Sequence, residues 1–271
     1  FYAAPLVFTA IGGVFSERSG VINIGLEGMM VMGAFISIIF NLTFVSTFGA
    51  MTPWVAVIAA MIVSGIFALL HAVASVSFRA DQTISGVAIN MLGVAIALFT
   101  VKMIYDKGQT DYIQERFIRF DIPGLSEIPI IGPMLFKDVY STSILAVAVA
   151  ILAWFVIYKT PFGLRLRAVG EHPMAADTMG VNVKKMRYIA VIISGMLAGI
   201  GGAVYAQSIS GEFSHTTING QGFMALAAMI FGKWHPLGAL GAALFFGFAQ
   251  ALSIVGGQIP YIDQIPSYYL H

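Results

Sequence analysis

"SGVINIGLEGMMVMGAF", Ser19 to Phe35, occupies a place where an apolar segment should cross a membrane, yet it carries Glu27 beside Gly28, with Gly25 and Asn23 just upstream. An ionisable side chain in hydrocarbon is costly and marks either function or a buried polar partner. Each glycine weakens a helix by about 1 kcal/mol relative to alanine. The glycines let the helix break or let neighbours approach closely; Asn23 and Glu27 could satisfy the backbone groups that a break frees, and membranes tolerate a break only inside protein or along a water-filled cavity.

The rest of the chain supports a membrane setting. Of 271 residues, 58% are hydrophobic and 10% charged, with 14 methionines and 21 phenylalanines. Soluble domains carry roughly 25% charged residues. The formal net charge is +1 and basic runs with interleaved aromatics are missing, so nucleic acid is not an expected partner. The sequence has no cysteine, which excludes disulfides and thiolate chemistry within it.

Crossing a bilayer as a helix takes about 20 apolar residues. Eight segments reach or approach that length, at 1–15, 21–40, 53–78, 83–105, 141–158, 188–207, 221–232 and 236–254. The seventh is too short for a plain span and reads as a half-membrane helix. The first, "FYAAPLVFTAIGGVF", has no basic flank and does not look like a signal peptide. It reads as a spanning helix whose start is missing, so the expected fold is an all-α polytopic bundle of at least eight membrane segments. The whole of 1–271 forms one transmembrane domain with both termini incomplete.

Orientation follows the lysine and arginine balance. Strict alternation puts Arg18, Arg79, Lys159, Arg165, Arg167, Lys184, Lys185, Arg187 and Lys233 on one side, which is cytoplasmic. The opposite side is acidic and holds the long loop 106–140, where "FIRFDIPGLSEIPIIGPMLF" suggests a short amphipathic or extended element.

The cytoplasmic loop 159–187 contains a short helix. Pro173 suits a first helical turn, "MAADTM" is good helix material, and Gly180 suits a left-handed C-terminal cap. Such a helix rests at the headgroups or docks a cytoplasmic partner in the helix-in-groove manner.

"GLRLRAVGEHPMAADTMGV" resembles the coupling segment of ABC importer permeases, through Glu171, Ala175, Ala176 and Gly180. "SERSGVINIGLEGMM" and "INGQGFMALAAMIFGKWHPLGALGAALFFG" resemble the branched-chain amino acid and simple-sugar permease superfamily, closest to its nucleoside branch. The resemblance implies a permease subunit of an ATP-driven importer in a bacterial cytoplasmic membrane. It would pair with a second permease, dock on ATP-binding domains, often fused in one chain, and receive cargo from an extracytoplasmic lipoprotein. ATP and Mg would sit on the ATP-binding partner, and membrane lipid would surround the chain. Glu171, His172, Pro173, Met174, Ala175, Ala176, Asp177, Thr178 and Gly180 are the expected coupling residues.

The residues agree with that division of labour. A phosphate loop, G-x-x-x-x-G-K followed by Ser or Thr, is missing from the sequence, and "FGKWHP" around Lys233 has neither the loop nor the hydroxyl. Neither a nucleophile triad nor a metal-ligand spacing of histidines emerges, so catalysis is not expected.

Asn23, Glu27 and Asn90 are candidates for the translocation path or its gate. Glu27 either lines the path or accepts hydrogen bonds from a neighbouring broken helix. At helical rise it lies roughly 10 Å from the inner face, short of the midplane. Asn23 and Asn90 can contact a nucleobase or join helices equally well. "QTISGVAIN", Gln82 to Asn90, matches the nucleoside branch and is a further path candidate. "SGMLAGIGGAVYAQ" contains Gly195 and Gly199 in G-x-x-x-G spacing and reads as a packing seam. Two other functions remain open at this level: the same mechanism with ribose-like sugars or branched-chain amino acids, and a secondary transporter driven by an ion gradient.

Overall fold

The computed structural model describes residues 1–121 and 137–256. Helix α1, Ala3–Glu17, is apolar on every side and buried from Ala4 to Ser16, as befits a core helix. Helix α2, Leu26–Phe48, leads through the 3₁₀ turn Gly49–Met51 into α3, Thr52–Ala72. Pro53 opens α3, where a missing N–H costs nothing. A π turn, Val73–Ser77, extends α3 to the corner before α4, Gln82–Tyr105. Asp81 caps α4 by accepting from the Ile84 N–H at 2.9 Å.

Strand β1, Arg119–Phe120, pairs antiparallel with β2, Val139–Tyr140. Helix α5, Ser141–Lys159, is followed by α6, Pro161–Glu171, and α7, Pro173–Thr178. Helix α8, Val183–Tyr205, starts at an Asn182 cap and ends in a π turn, Ala206–Ser210. Helix α9, Gln221–Phe231, and α10, Pro236–Gly256, complete the described fold.

Five runs among the described residues are long and apolar enough to cross a membrane: Leu26–Ser77, Gln82–Tyr105, Ser141–Lys159, Val183–Ser210 and Pro236–Ile254. The first is 52 residues long and contains both α2 and α3. Ala3–Glu17 and Gln221–Phe231 are shorter apolar helices. The chain is thus an integral membrane protein built as a helical bundle.

Helix α8 is the axis of the bundle and packs on α1, α2 and α3. Its glycine stripe makes this possible. A Cβ on Gly199 would strike the Ser64 side chain and lie 2.9 Å from the Ala60 carbonyl oxygen, while one on Gly33 of α2 would collide with the Gly199 backbone. The seam expected from the G-x-x-x-G spacing is therefore present. Two hydrophobic clusters flank it, one built around α1, α5 and α9, the other around α2 with the inner face of α4.

One expectation needs correction. The second segment does not become helical at residue 21. Residues 18–20 form a turn, 21–23 have no regular structure, 24–25 form a second turn, and α2 begins only at Leu26. The loop 159–187 also holds a helix ahead of the expected one, α6, whose two glycines and two nearby arginines give little helical periodicity. The Pro-rich part of the outer loop, 122–136, and the C-terminal 257–271 lie outside the described residues.

Candidate functional site

The break before α2 interrupts the helical hydrogen bonds between Val21 and Gly25, whose carbonyl opens α2 by accepting from the Met29 N–H at 3.1 Å. Buried backbone groups must find partners, and here side chains from three elements supply them. The Ile22 N–H donates to Gln82 Oε1 at 2.7 Å. The Ile22 carbonyl accepts from His71 Nε2 at 3.0 Å. That bond requires the proton on Nε2, so a neutral ring accepts from the Ser85 hydroxyl at Nδ1, 2.9 Å away. Ser16 Oγ donates to the Val21 carbonyl at 2.7 Å.

Asn90 closes the clamp. Its Nδ2 donates to the Ile24 carbonyl at 3.0 Å, and its Oδ1 accepts from the Gly28 N–H at 2.8 Å. One amide thus spans the start of α2, satisfying an acceptor before it and a donor inside its first turn. Asn23 works from within the segment. Its Oδ1 accepts from the Gly25 N–H at 3.1 Å and its Nδ2 donates to Ser194 Oγ at 2.9 Å, tying the break to α8. Both asparagines hydrogen-bond within the chain, the joining role open to such amides.

Glu27 is the pivot between two helix starts. It lies in the first turn of α2, and its carboxylate caps α9: Oε1 accepts from the Gly220 N–H at 2.6 Å and Oε2 from the Gly222 N–H at 2.5 Å. Two positive helix ends therefore face one carboxylate, an arrangement that stabilises the charge. Gly220 has φ +93°, a conformation that side chains oppose. A Cβ on Gly222 would lie 2.5 Å from the Glu27 Cα. "NGQG", Asn219 to Gly222, is thus shaped to admit the glutamate.

Helix α9 has 11 residues and runs from this cap to the turn at Lys233 and Trp234.

The arm formed by α6 and α7 reaches the same break. Helix α7 spans Pro173 to Thr178, with Gly180 at φ +79° behind it. His172 precedes it as the N-cap residue, and Glu171 ends α6. Met174, Ala175, Asp177 and Thr178 are exposed, whereas Ala176 is buried against the bundle. At the junction of α6 and α7, Gly170 lies against the turn at the break, so closely that a Cβ there would collide with the Arg18 carbonyl oxygen. Arg187 Nε at the base of α8 donates to the Ser19 carbonyl at 3.2 Å. Arg18 in turn donates to the Trp234 carbonyl at 3.0 Å and to the Tyr158 hydroxyl at 3.1 Å.

The structure therefore brings Asn23, Glu27 and Asn90 together around one break and keeps the α7 residues apart from them, joined through Gly170. Gln82 and Ser85 come from the stretch Gln82 to Asn90 named as a path candidate, and His71 joins them without a signal in the sequence. The outer half contains a further polar cluster, unforeseen in the sequence: Asn41 Nδ2 donates to Gln207 Oε1 at 3.1 Å and to the Glu115 carbonyl at 2.9 Å. Among the described residues no group of three or more His, Cys, Asp or Glu side chains could hold a metal ion.

A family model described as Branched-chain amino acid transport system / permease component matches residues 1–270. The chain is 63% identical over 269 residues to the Guanosine ABC transporter permease protein NupQ of Bacillus subtilis (strain 168), covering 99% of this chain and 84% of that protein. It is 52% identical over 269 residues to the Nucleoside ABC transporter permease protein NupC of Lactococcus lactis subsp. cremoris (strain MG1363), again covering 99% and 84%. A more distant relative, the Guanosine ABC transporter permease protein NupP of Bacillus subtilis (strain 168), is 25% identical over 268 residues, 97% of this chain and 74% of that protein.

Proposed function

The chain belongs to the family of permease components of branched-chain amino acid transport systems, and on that premise we propose that it is the membrane subunit of an ATP-driven importer of nucleosides. The cargo rests on the two relatives at 63% and 52% identity, whose names specify guanosine and nucleosides. Membership in this family removes support from the reading as an ion-driven secondary transporter. Ribose-like sugars and branched-chain amino acids remain as cargo to be tested.

The subunit lies in the cytoplasmic membrane of a bacterium with eight membrane segments, α1 to α5 and α8 to α10, of which α1 and α9 are short. It pairs with a second, non-identical permease. Bacillus subtilis has two guanosine permease proteins that match this chain at 63% and 25% identity, a precedent for unlike partners. ATP and Mg are held by an ATP-binding partner, and a lipoprotein delivers cargo on the outer side. Helix α7 is the coupling helix, with Glu171, His172, Met174, Asp177 and Thr178 facing the partner.

The observation that carries the mechanism is the contact of Gly170 with the turn at Arg18–Gly20. Movement of α7 on its partner passes through the last turn of α6, at Gly170, to the break before α2. There, Asn23, Glu27 and Asn90 act as the gate's hinge rather than as cargo ligands. Reconstituted with its partner subunits, the transporter should accumulate labelled guanosine only with ATP. Uptake that survives ATP depletion and stops with an uncoupler would overturn the reading. Uptake of ribose or leucine in place of guanosine would overturn the cargo alone.

A further inference from the structure

Outside the membrane, an exposed large apolar side chain signals a missing partner more strongly than within it, where lipid covers such groups. Among the described residues the three most exposed large hydrophobics are Met174 at 84%, Met179 at 83% and Phe78 at 78%. All three lie on the cytoplasmic side. Met174 and Met179 belong to α7 and its end, but Phe78 belongs to the corner between α3 and α4, roughly a hundred residues away in sequence.

The corner and α7 are the two walls of one cleft of about 870 Å³. Ser75, Ser77 and Arg79 line one wall, Pro173, Met174 and Asp177 the other. Lys184 and Arg187 also line the cleft. The corner has a defined shape. Arg79 has φ +52°, unusual for a residue with a side chain. The Ala80 N–H closes on the Ala74 carbonyl at 3.0 Å, and Ser77 Oγ lies 2.5 Å from the Tyr188 hydroxyl of α8. A strained turn held in place at this surface is an observation from which function is reasonably inferred.

We propose that the α3–α4 corner, through Phe78 and Arg79, is a second docking contact for the ATP-binding partner, continuous with α7 across the cleft. The proposal rests on the reading of α7 as the coupling helix. It adds a second route into the gate. Gln82, three residues after Arg79, holds the Ile22 N–H, so displacement of the corner acts on the break directly. The partner then grips the broken segment from two sides, by α6 at Arg18–Gly20 and by α4 at Ile22.

The native lack of cysteine makes the test direct. Single variants Phe78→Cys, Met174→Cys and His215→Cys are labelled with benzophenone maleimide in the complete transporter, in nanodiscs, and irradiated. His215 is an exposed residue of the α8–α9 connection and serves as the outer control. Both Phe78→Cys and Met174→Cys should give a band at the summed mass of the permease and the ATP-binding chain, absent from His215→Cys. A band from Met174→Cys with only lipid adducts from Phe78→Cys assigns the corner to the headgroup layer and overturns the proposal, leaving the proposed function intact. Loss of both bands overturns the docking reading of α7 and this proposal with it. As a second measurement, Phe78→Ala should weaken capture of the ATP-binding chain about tenfold, as expected for an aromatic anchor, with membrane insertion unchanged. Unaltered capture contradicts it.

Discussion

The break before α2 and the seam along α8 both bring backbones close together, but by opposite means. At the seam, Gly33 and Gly199 meet because neither has a side chain, and dispersion between backbones holds the contact. At the break, Val21 to Gly25 is held by polar side chains from elsewhere: Gln82 and Asn90 from α4, His71 from α3 and Ser16 from α1. A seam of small residues permits sliding but no added bulk. A clamp of directional hydrogen bonds has discrete states, since each bond is either made or lost. The moving part of the permease should therefore be the break, with the seam as the surface on which it moves.

Substitutions can separate the two. The largest effect should come from Glu27→Ala, which strips the α9 cap and leaves the Gly220 and Gly222 N–H groups unpaired. Hydrogen bonds to charged groups contribute about 1.5–3 kcal/mol each, enough to abolish assembly of the purified protein. Glu27→Gln keeps an acceptor and should retain assembly with reduced transport. Uptake and gel-filtration profiles of the pair measure this. If both variants behave as wild type, Glu27 is only tolerated at its position.

Next in size is Gly199→Leu. It drives a side chain into Ser64 and the Ala60 carbonyl, and overpacking of this kind costs about 1–3 kcal/mol. Thermal stability in detergent should fall, with no selective loss of ATP-driven uptake in the fraction that folds. A selective loss would move the hinge from the break to the seam.

Asn90→Ala removes both clamp bonds of that residue and leaves the Gly28 N–H and the Ile24 carbonyl without partners, at about 1–3 kcal/mol of desolvation. Uptake should drop while ATP hydrolysis by the complex persists, an uncoupled phenotype. The smallest effect should be that of Asn23→Ser, which shortens the link to Ser194 but keeps a polar group. A modest loss in uptake rate, without a change in stability, is expected there.

Much of this was legible in the sequence. Apolar segment length located the runs long enough to cross a membrane, Gly180 announced the end of α7, and the spacing of Gly195 and Gly199 gave the seam. The glutamate's cap role was one of two readings that Glu27 allowed. What composition and periodicity could not supply were the pairings. Glu27 meets Gly220 across 193 residues, and Asn90 meets Gly28 across 62. A side chain's hydrogen-bonding capacity is visible in its identity, but its distant partner is not. His71 gives no sign of its role for the same reason: its acceptor is a backbone carbonyl, which has no sequence signal. The position of the break was masked by the apolar residues Val21, Ile22 and Ile24, which sustain hydropathy where the helix is absent.

The most direct check uses a single cysteine at Ile22, whose side chain is 45% exposed although its backbone groups are clamped. In the complete transporter, the reaction rate of Ile22→Cys with a water-soluble maleimide should differ between nucleotide-free and ATP-bound states. A cysteine at His215, an exposed residue of the α8–α9 connection, should react alike in both. Equal rates at Ile22 in the two states, in a preparation that still transports, would contradict a gate at the break.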